Sequence, residues 1–153
     1  YGLDIVSHQK EEIVRTFGWN ELGQIPSVDC VIHLAGKAHD TKNTTEEKTY
    51  FDINVGLTKQ IFEYFLQSSA SKFIFFSSVK AAADHVEGDF LTEEAVPKPK
   101  GPYGESKLAA EQYIQSQKLE VGSQKFSNSG LRSPIFRQEG VHPPSLYDPW
   151  SGE

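Results

Sequence analysis

K-F-I-F-F-S, residues 72–77, decides the fold. Its apolar residues run on without alternation, which marks a short strand covered on both faces. Before it, from about 49 to 69, the period changes to that of a helix. Ile53, Leu57, Ile61 and Phe65 recur at i+4, with Thr58, Phe62 and Leu66 beside them. Further out, V-D-C-V-I-H-L at 28–34 is β-branched and apolar, is closed by Ala35-Gly36, and reads as a second buried strand. Residues 13–17 form another possible strand, 19–22 begin a short helix, and 1–4 read as the last part of a strand. A polar stretch covers 40–48. On the other side of 72–77, a loop rich in Asp, Glu and Pro runs to Pro102, and a helix follows over about 103–117. Strand, helix, strand, helix in this order predicts an α/β chain with a parallel sheet wrapped by helices. Ligands of such sheets bind beyond the carboxyl ends of the strands. Asp4, Ala35-Gly36-Lys37 and Ser77-Ser78 stand at those ends.

The chain of 153 residues has the size of one ordinary domain. Its net charge of −6 argues against nucleic acid or an anionic membrane surface as the main partner. No apolar run approaches the roughly 20 residues a membrane span needs, and no signal peptide is visible. Cys30 is the single cysteine, which forbids an intrachain disulfide and fits a reducing, cytoplasmic setting. There is no methionine, and Y-G-L-D reads as the end of a strand, so a fragment lacking its N-terminus is expected.

P-Y-G-E-S-K at 102–107 carries the chemistry. Pro102 suits the first turn of a helix, and Tyr103 and Lys107, four apart, share one face. On the predicted helix they form a stripe with Ala110 and Ile114, facing the body. An ammonium beside a phenol favours the phenolate, which is equipment for moving a proton to or from an alcohol or carbonyl. The plain alternative is an exposed tyrosine with a solvated lysine. Ser78, just after the buried strand, can hydrogen-bond a substrate oxygen, or can merely cap the next turn. Asp4, at a strand end, matches the acidic residue that binds adenosine ribose hydroxyls in dinucleotide-binding βαβ units and favours NAD over NADP; an ordinary turn aspartate is the alternative. Ala35 and Gly36 let a ligand approach the backbone. Lys37 either meets a phosphate or is solvated. His33 reads as a packed histidine, and with His39 it lacks the spacing of a zinc site, so no metal is expected.

Taken together, these residues resemble the extended short-chain dehydrogenase/reductase family, specifically its nucleotide-sugar epimerases and dehydratases. The matching segments are D-C-V-I-H-L-A-G at 29–36, Y-F-D-I-N-V-G-L-T at 50–58, K-F-I-F-F-S-S-V at 72–79 and L-T-E-E-A-V-P-K-P-K-G-P-Y-G-E-S-K-L-A-A-E at 91–111. The likeness covers roughly 1–118. It implies a Rossmann-type, doubly wound parallel sheet, incomplete at the N-terminus, with bound NAD held along Asp4, Leu34, Ala35, Gly36 and Lys37. It assigns Tyr103 as acid/base, Lys107 to the nicotinamide ribose and to tyrosine activation, Ser78 to the substrate oxygen, and Asn54 to a place beside the active site. In a 4-epimerase, Tyr103 would take the sugar hydroxyl proton as hydride passes to NAD. The substrate would be a nucleotide sugar, and helices such as 103–117 often pair in this family, which implies a homodimer of the intact protein.

The departures are informative. The Gly-rich turn that cradles a pyrophosphate is missing, and Leu57 stands where the family usually has glycine. Sugar dehydratases typically have an acidic pair after the active-site hydroxyl, whereas Val79 and Lys80 follow Ser78. This points to an epimerase or a 4-keto reductase rather than a dehydratase. After about Gly122 the pattern collapses, and residues 119–153 are expected to form an irregular tail, disordered or out of frame. Read one base later, codons permitted for 139–153 include K-V-Y-I-L-R-P-C-M-I-H-G-P-G, the strand and loop the family has next. An inactive fragment or a non-catalytic Rossmann-like binding protein is the reading from another class.

Overall fold

The computed structural model describes residues 1–5, 11–38, 46–85, 91–92, 95–120 and 135–138. Every strand pairing is parallel. β1 (Gly2–Leu3) pairs with β2 (Thr16–Phe17) in a two-stranded sheet. A 3-10 helix, Trp19–Gln24, follows, and the Glu21 carboxylate accepts the Gly18 amide at 2.9 Å, which satisfies a donor at its start. β3 (Cys30–His33), β4 (Lys72–Ser78) and β5 (Ile135–Gln138) form a three-stranded sheet in that order. The first crossover is α1 (Glu47–Gln67). α2 (Pro102–Glu120) lies between β4 and β5.

β4 is central and apolar because it has a strand on each side. Its register sets Val31 beside Phe73 and His33 beside Phe75. On that face Phe73 and Phe75 meet Ile61, Phe62 and Phe65 of α1 and Ala110 and Ile114 of α2, and these side chains form the core. Phe62 stands edge-on to Phe73 with centroids 4.9 Å apart, a favoured aromatic geometry. α1 ends where the Ser68 hydroxyl turns back to the Phe65 carbonyl oxygen at 2.9 Å, and the Ser71 amide then reaches the Asp29 carbonyl at 3.0 Å to start β4 beside β3.

Three expectations change. The inward face of α1 is Tyr50, Asn54, Thr58, Ile61, Phe62 and Phe65, with Ile53 and Leu57 only half-buried. Apolar spacing misplaces the N-terminal half of this face because Asn54, a polar residue outside the apolar stripe, is buried by hydrogen bonding. The sheet is covered by helices on its Phe73/Phe75 face. On the opposite face Ile32 and Leu34 are 56 % and 65 % exposed, and no described element covers them. A strand, β5, stands where an irregular tail was expected, since parallel pairing along the second edge of β4 needs only a short extended backbone. His39, most of the 40–48 stretch, parts of the loop before Pro102, and residues 139–153 with their frameshift reading lie outside the described residues.

Candidate functional site

The site grows from the turn after β3. Asn54, 2 % exposed on α1, grips this turn with both ends of its amide. Its Oδ1 accepts the Lys37 amide at 2.7 Å, and its Nδ2 donates to the Lys37 carbonyl oxygen at 3.2 Å. The remaining Nδ2 hydrogen goes to Ser106 Oγ on α2 at 2.9 Å. One asparagine thus ties the turn, α1 and α2 together. Gly36 sits between them, and a Cβ there would stand 2.8 Å from Asn54 Oδ1 and 3.0 Å from Lys107 Nζ. Only glycine lets both side chains approach the backbone this closely.

The first turn of α2 brings the chemistry. Ser106, fully buried, donates to the Tyr103 carbonyl oxygen at 2.9 Å. Tyr103 is half-buried, its ring 6.3 Å from that of Tyr50 and inclined by 62°. Lys107, one turn on, is 5 % exposed, donates to the Phe76 carbonyl oxygen at 3.3 Å and places its ammonium 5.2 Å from the Phe75 ring centroid. Burial pushes the Lys107 pKa down, and the carboxylate of buried Glu111, a further turn along, partly opposes this. Gly104 locks the helix against the segment after β4. A Cβ on Gly104 would collide with the Lys80 carbonyl oxygen and come within 3.1 Å of Pro99 Cβ.

Ser78 ends β4 and is 5 % exposed. Its Oγ accepts the Lys80 amide at 3.2 Å, so it caps the 3-10 turn Val79–Ala81, and its own O–H remains a donor. The capping alternative and the substrate-binding reading are therefore compatible. Ser77, 3 % exposed, has a buried Oγ without a hydrogen-bond partner among the described residues. Beyond them, Lys80 Nζ pairs with Asp84 at 2.8 Å and holds the Asp84 carboxyl below its ordinary value. Leu34 is exposed at the end of β3, and Ala35 is half-buried next to it.

Asp4 stands apart from this cluster, at the end of β1 in the other sheet, where its Oδ1 accepts the Ile5 amide at 2.6 Å. The sequence reading took His33 as packed, and it is: 3 % exposed against Phe73 and Phe75. What that reading missed is the company it keeps. His33 Nε2 lies 2.9 Å from Thr58 Oγ1, and neither Thr58 nor Ser106 carries a signal that separates it from an ordinary helical hydroxyl. Among the described residues no group of three or more His, Cys, Asp or Glu side chains could hold a metal ion. No described helix is long and apolar enough to cross a membrane.

The close packing of Asn54 and Lys107 on Gly36, where no Cβ fits, and the buried Ser77 hydroxyl, unpartnered among the described residues, both lie at the carboxyl ends of β3 and β4, where ligands of parallel sheets bind. The chain is 27 % identical over 119 residues, 78 % of its length, to the UDP-glucose 4-epimerase of Yersinia pestis. It is 32 % identical over 88 residues, 58 % of its length, to that of Streptomyces lividans. These matches span 34 % and 26 % of the two relatives, so the chain corresponds to about a third of such a protein or less. Among solved structures, RMD from Pseudomonas aeruginosa complexed with NADPH is 27 % identical with a TM-score of 0.56, over 86 % of this chain and 41 % of that one. The model of the NAD dependent epimerase/dehydratase family matches residues 16–127, and the chain belongs to that family.

Proposed function

We propose that this chain carries the proton-transfer centre of an NAD-dependent epimerase acting on a nucleotide sugar. The observation that carries the reading is the buried Lys107 ammonium, one helical turn beyond Tyr103, held at the end of β4 and packed against Gly36 where no Cβ would fit. Leu34, Ala35, Gly36 and Lys37 would line the cofactor, Asp4 would take its adenosine ribose hydroxyls, and Lys107 with Tyr103 would meet the nicotinamide ribose. NAD, when bound, supplies hydride chemistry at the sugar carbon. Tyr103 accepts the proton of the sugar hydroxyl at its phenolic oxygen and returns it in the reverse sense. Lys107, one helical turn on, supplies positive charge on the same side of α2. Ser78 donates its O–H to the same sugar oxygen, and the Asn54 grip holds the Gly36 turn and α2 at a fixed spacing.

Two relatives named UDP-glucose 4-epimerase support the sugar-nucleotide reading. An NAD(P)-dependent keto-sugar reductase is the second reading, favoured by the likeness to a protein solved with NADPH. The test titrates the chain with NAD and NADP and assays interconversion of UDP-glucose and UDP-galactose. Tyr103→Phe should lower turnover by about 10²–10⁴-fold. Turnover retained in Tyr103→Phe would sink both enzyme readings. A chain that folds and saturates with neither dinucleotide is an inactive fragment.

A further inference from the structure

Each hydroxyl in the buried core of the site has one proton, and the geometry fixes where it goes. Thr58 donates to the Asn54 carbonyl oxygen at 2.6 Å, so it can only accept from His33. His33 must therefore carry its proton on Nε2. Ser106 donates to the Tyr103 carbonyl oxygen and so accepts from Asn54 Nδ2. Two runs result, both meeting at Asn54: His33 to Thr58 to the Asn54 backbone, and the Asn54 side chain to Ser106 to the Tyr103 backbone. They join β3 through α1 to the first turn of α2. All four side chains are 3 % exposed or less, so water cannot substitute for a lost partner without opening the core.

We propose that His33, Thr58 and Ser106 are positioning residues for the Tyr103/Lys107 pair, acting through Asn54 to hold the Gly36 turn and α2 in register. The inference rests on the proton-transfer reading above for its functional meaning, but its geometry stands separately. Asn54 Oδ1 and Lys107 Nζ both flank the space at Gly36, so a change in the Asn54 amide orientation alters the dipole beside the Lys107 ammonium. Among the described residues, the charged and titratable groups around His33 and Lys107 include each other, Glu111 on α2 and, one turn before Lys107, Tyr103. From β4, His33 meets the uncharged rings of Phe73 and Phe75, and from α1 the hydroxyl of Thr58. A neutral His33 keeps a second positive charge away from Lys107.

The test is nuclear magnetic resonance on the 153-residue chain. Side-chain ¹⁵N shifts should show neutral His33 protonated on Nε2 at pH 7. The ¹³Cε titration of Lys107 should move by more than about half a pH unit in Thr58→Val and in Ser106→Ala. It should return to the unsubstituted value in Thr58→Ser, which keeps the hydroxyl. Phe62→Ala, which loosens the same core away from these hydrogen bonds, should leave it in place. A proton on Nδ1 overturns the proposal whatever the variants do, including if Thr58→Val does not fold. So does a Lys107 titration that moves equally in Phe62→Ala. Failure to bind NAD in any of these proteins would count against the functional reading and leave this one standing.

Discussion

His33 shows how a single buried side chain couples this fold to pH. Burial, with the nearby Lys107 charge, lowers its pKa from 6.5 to about 4. The unfolded chain therefore binds a proton between pH 6.5 and pH 4 that the folded chain refuses. Stability is full above the unfolded value and is lost as pH falls toward the folded one, by about 3 kcal/mol across that window. Urea unfolding midpoints measured from pH 7 to pH 4 should fall accordingly, and His33→Gln should flatten the dependence; equal slopes in the two proteins would remove His33 as the cause. At this scale the sequence was partly legible. Spacing alone put Tyr103 and Lys107 on one helical face, because i and i+4 must align on a helix. Ser106 between them was passed over, since a serine in a helix has no pattern that tells a solvated hydroxyl from a buried one. Its role appears only when Asn54, 52 residues earlier, comes within 2.9 Å.

α1 makes the corresponding point for an element. Its existence and length were readable from apolar periodicity, and the expected 49–69 differs little from Glu47–Gln67. Its inward face was readable only in the C-terminal half, where Ile61, Phe62 and Phe65 enter the core. In the other half the buried polar residues are Asn54 and Thr58, of which the apolar stripe took in only Thr58. Burial is tolerated because each is hydrogen-bonded inside the protein. The two halves should respond differently to truncation. Phe62→Ala removes a fully buried ring packed on Phe73 and should cost about 3–5 kcal/mol. Ile53→Ala, at a position the periodicity placed inward but the fold leaves half-buried, should cost about 1 kcal/mol. Denaturant unfolding of the two variants measures both. Similar losses would mean that α1 is rotated from the orientation described.

For the whole molecule, the parallel α/β class was legible because continuous apolar strands alternate with helical segments. The separation into two sheets was not, since strand order depends on pairings between distant segments that no local pattern encodes. β5 was missed for a related reason: its pairing is supplied by the edge of β4 and owes little to its own four residues. This arrangement predicts a gradient of local stability. β4 has hydrogen-bonded partners on both sides, and its Phe73 and Phe75 lie in the core between α1 and α2. β1 and β2 pair over only two residues each, beside an exposed Tyr1. A backbone amide exchanges when its local structure opens, so the slowest exchange should come from β4 and the buried turns of α1 and α2. The amides of Gly2 and Asp4, bonded to Arg15 and Phe17 carbonyl oxygens, should exchange at least about tenfold faster, a gap of 1.4 kcal/mol or more in opening free energy. Hydrogen exchange read residue by residue decides this. Equal protection in β1 and β4 would show that the two sheets open as one cooperative unit, so that Asp4 is held as firmly as Lys107.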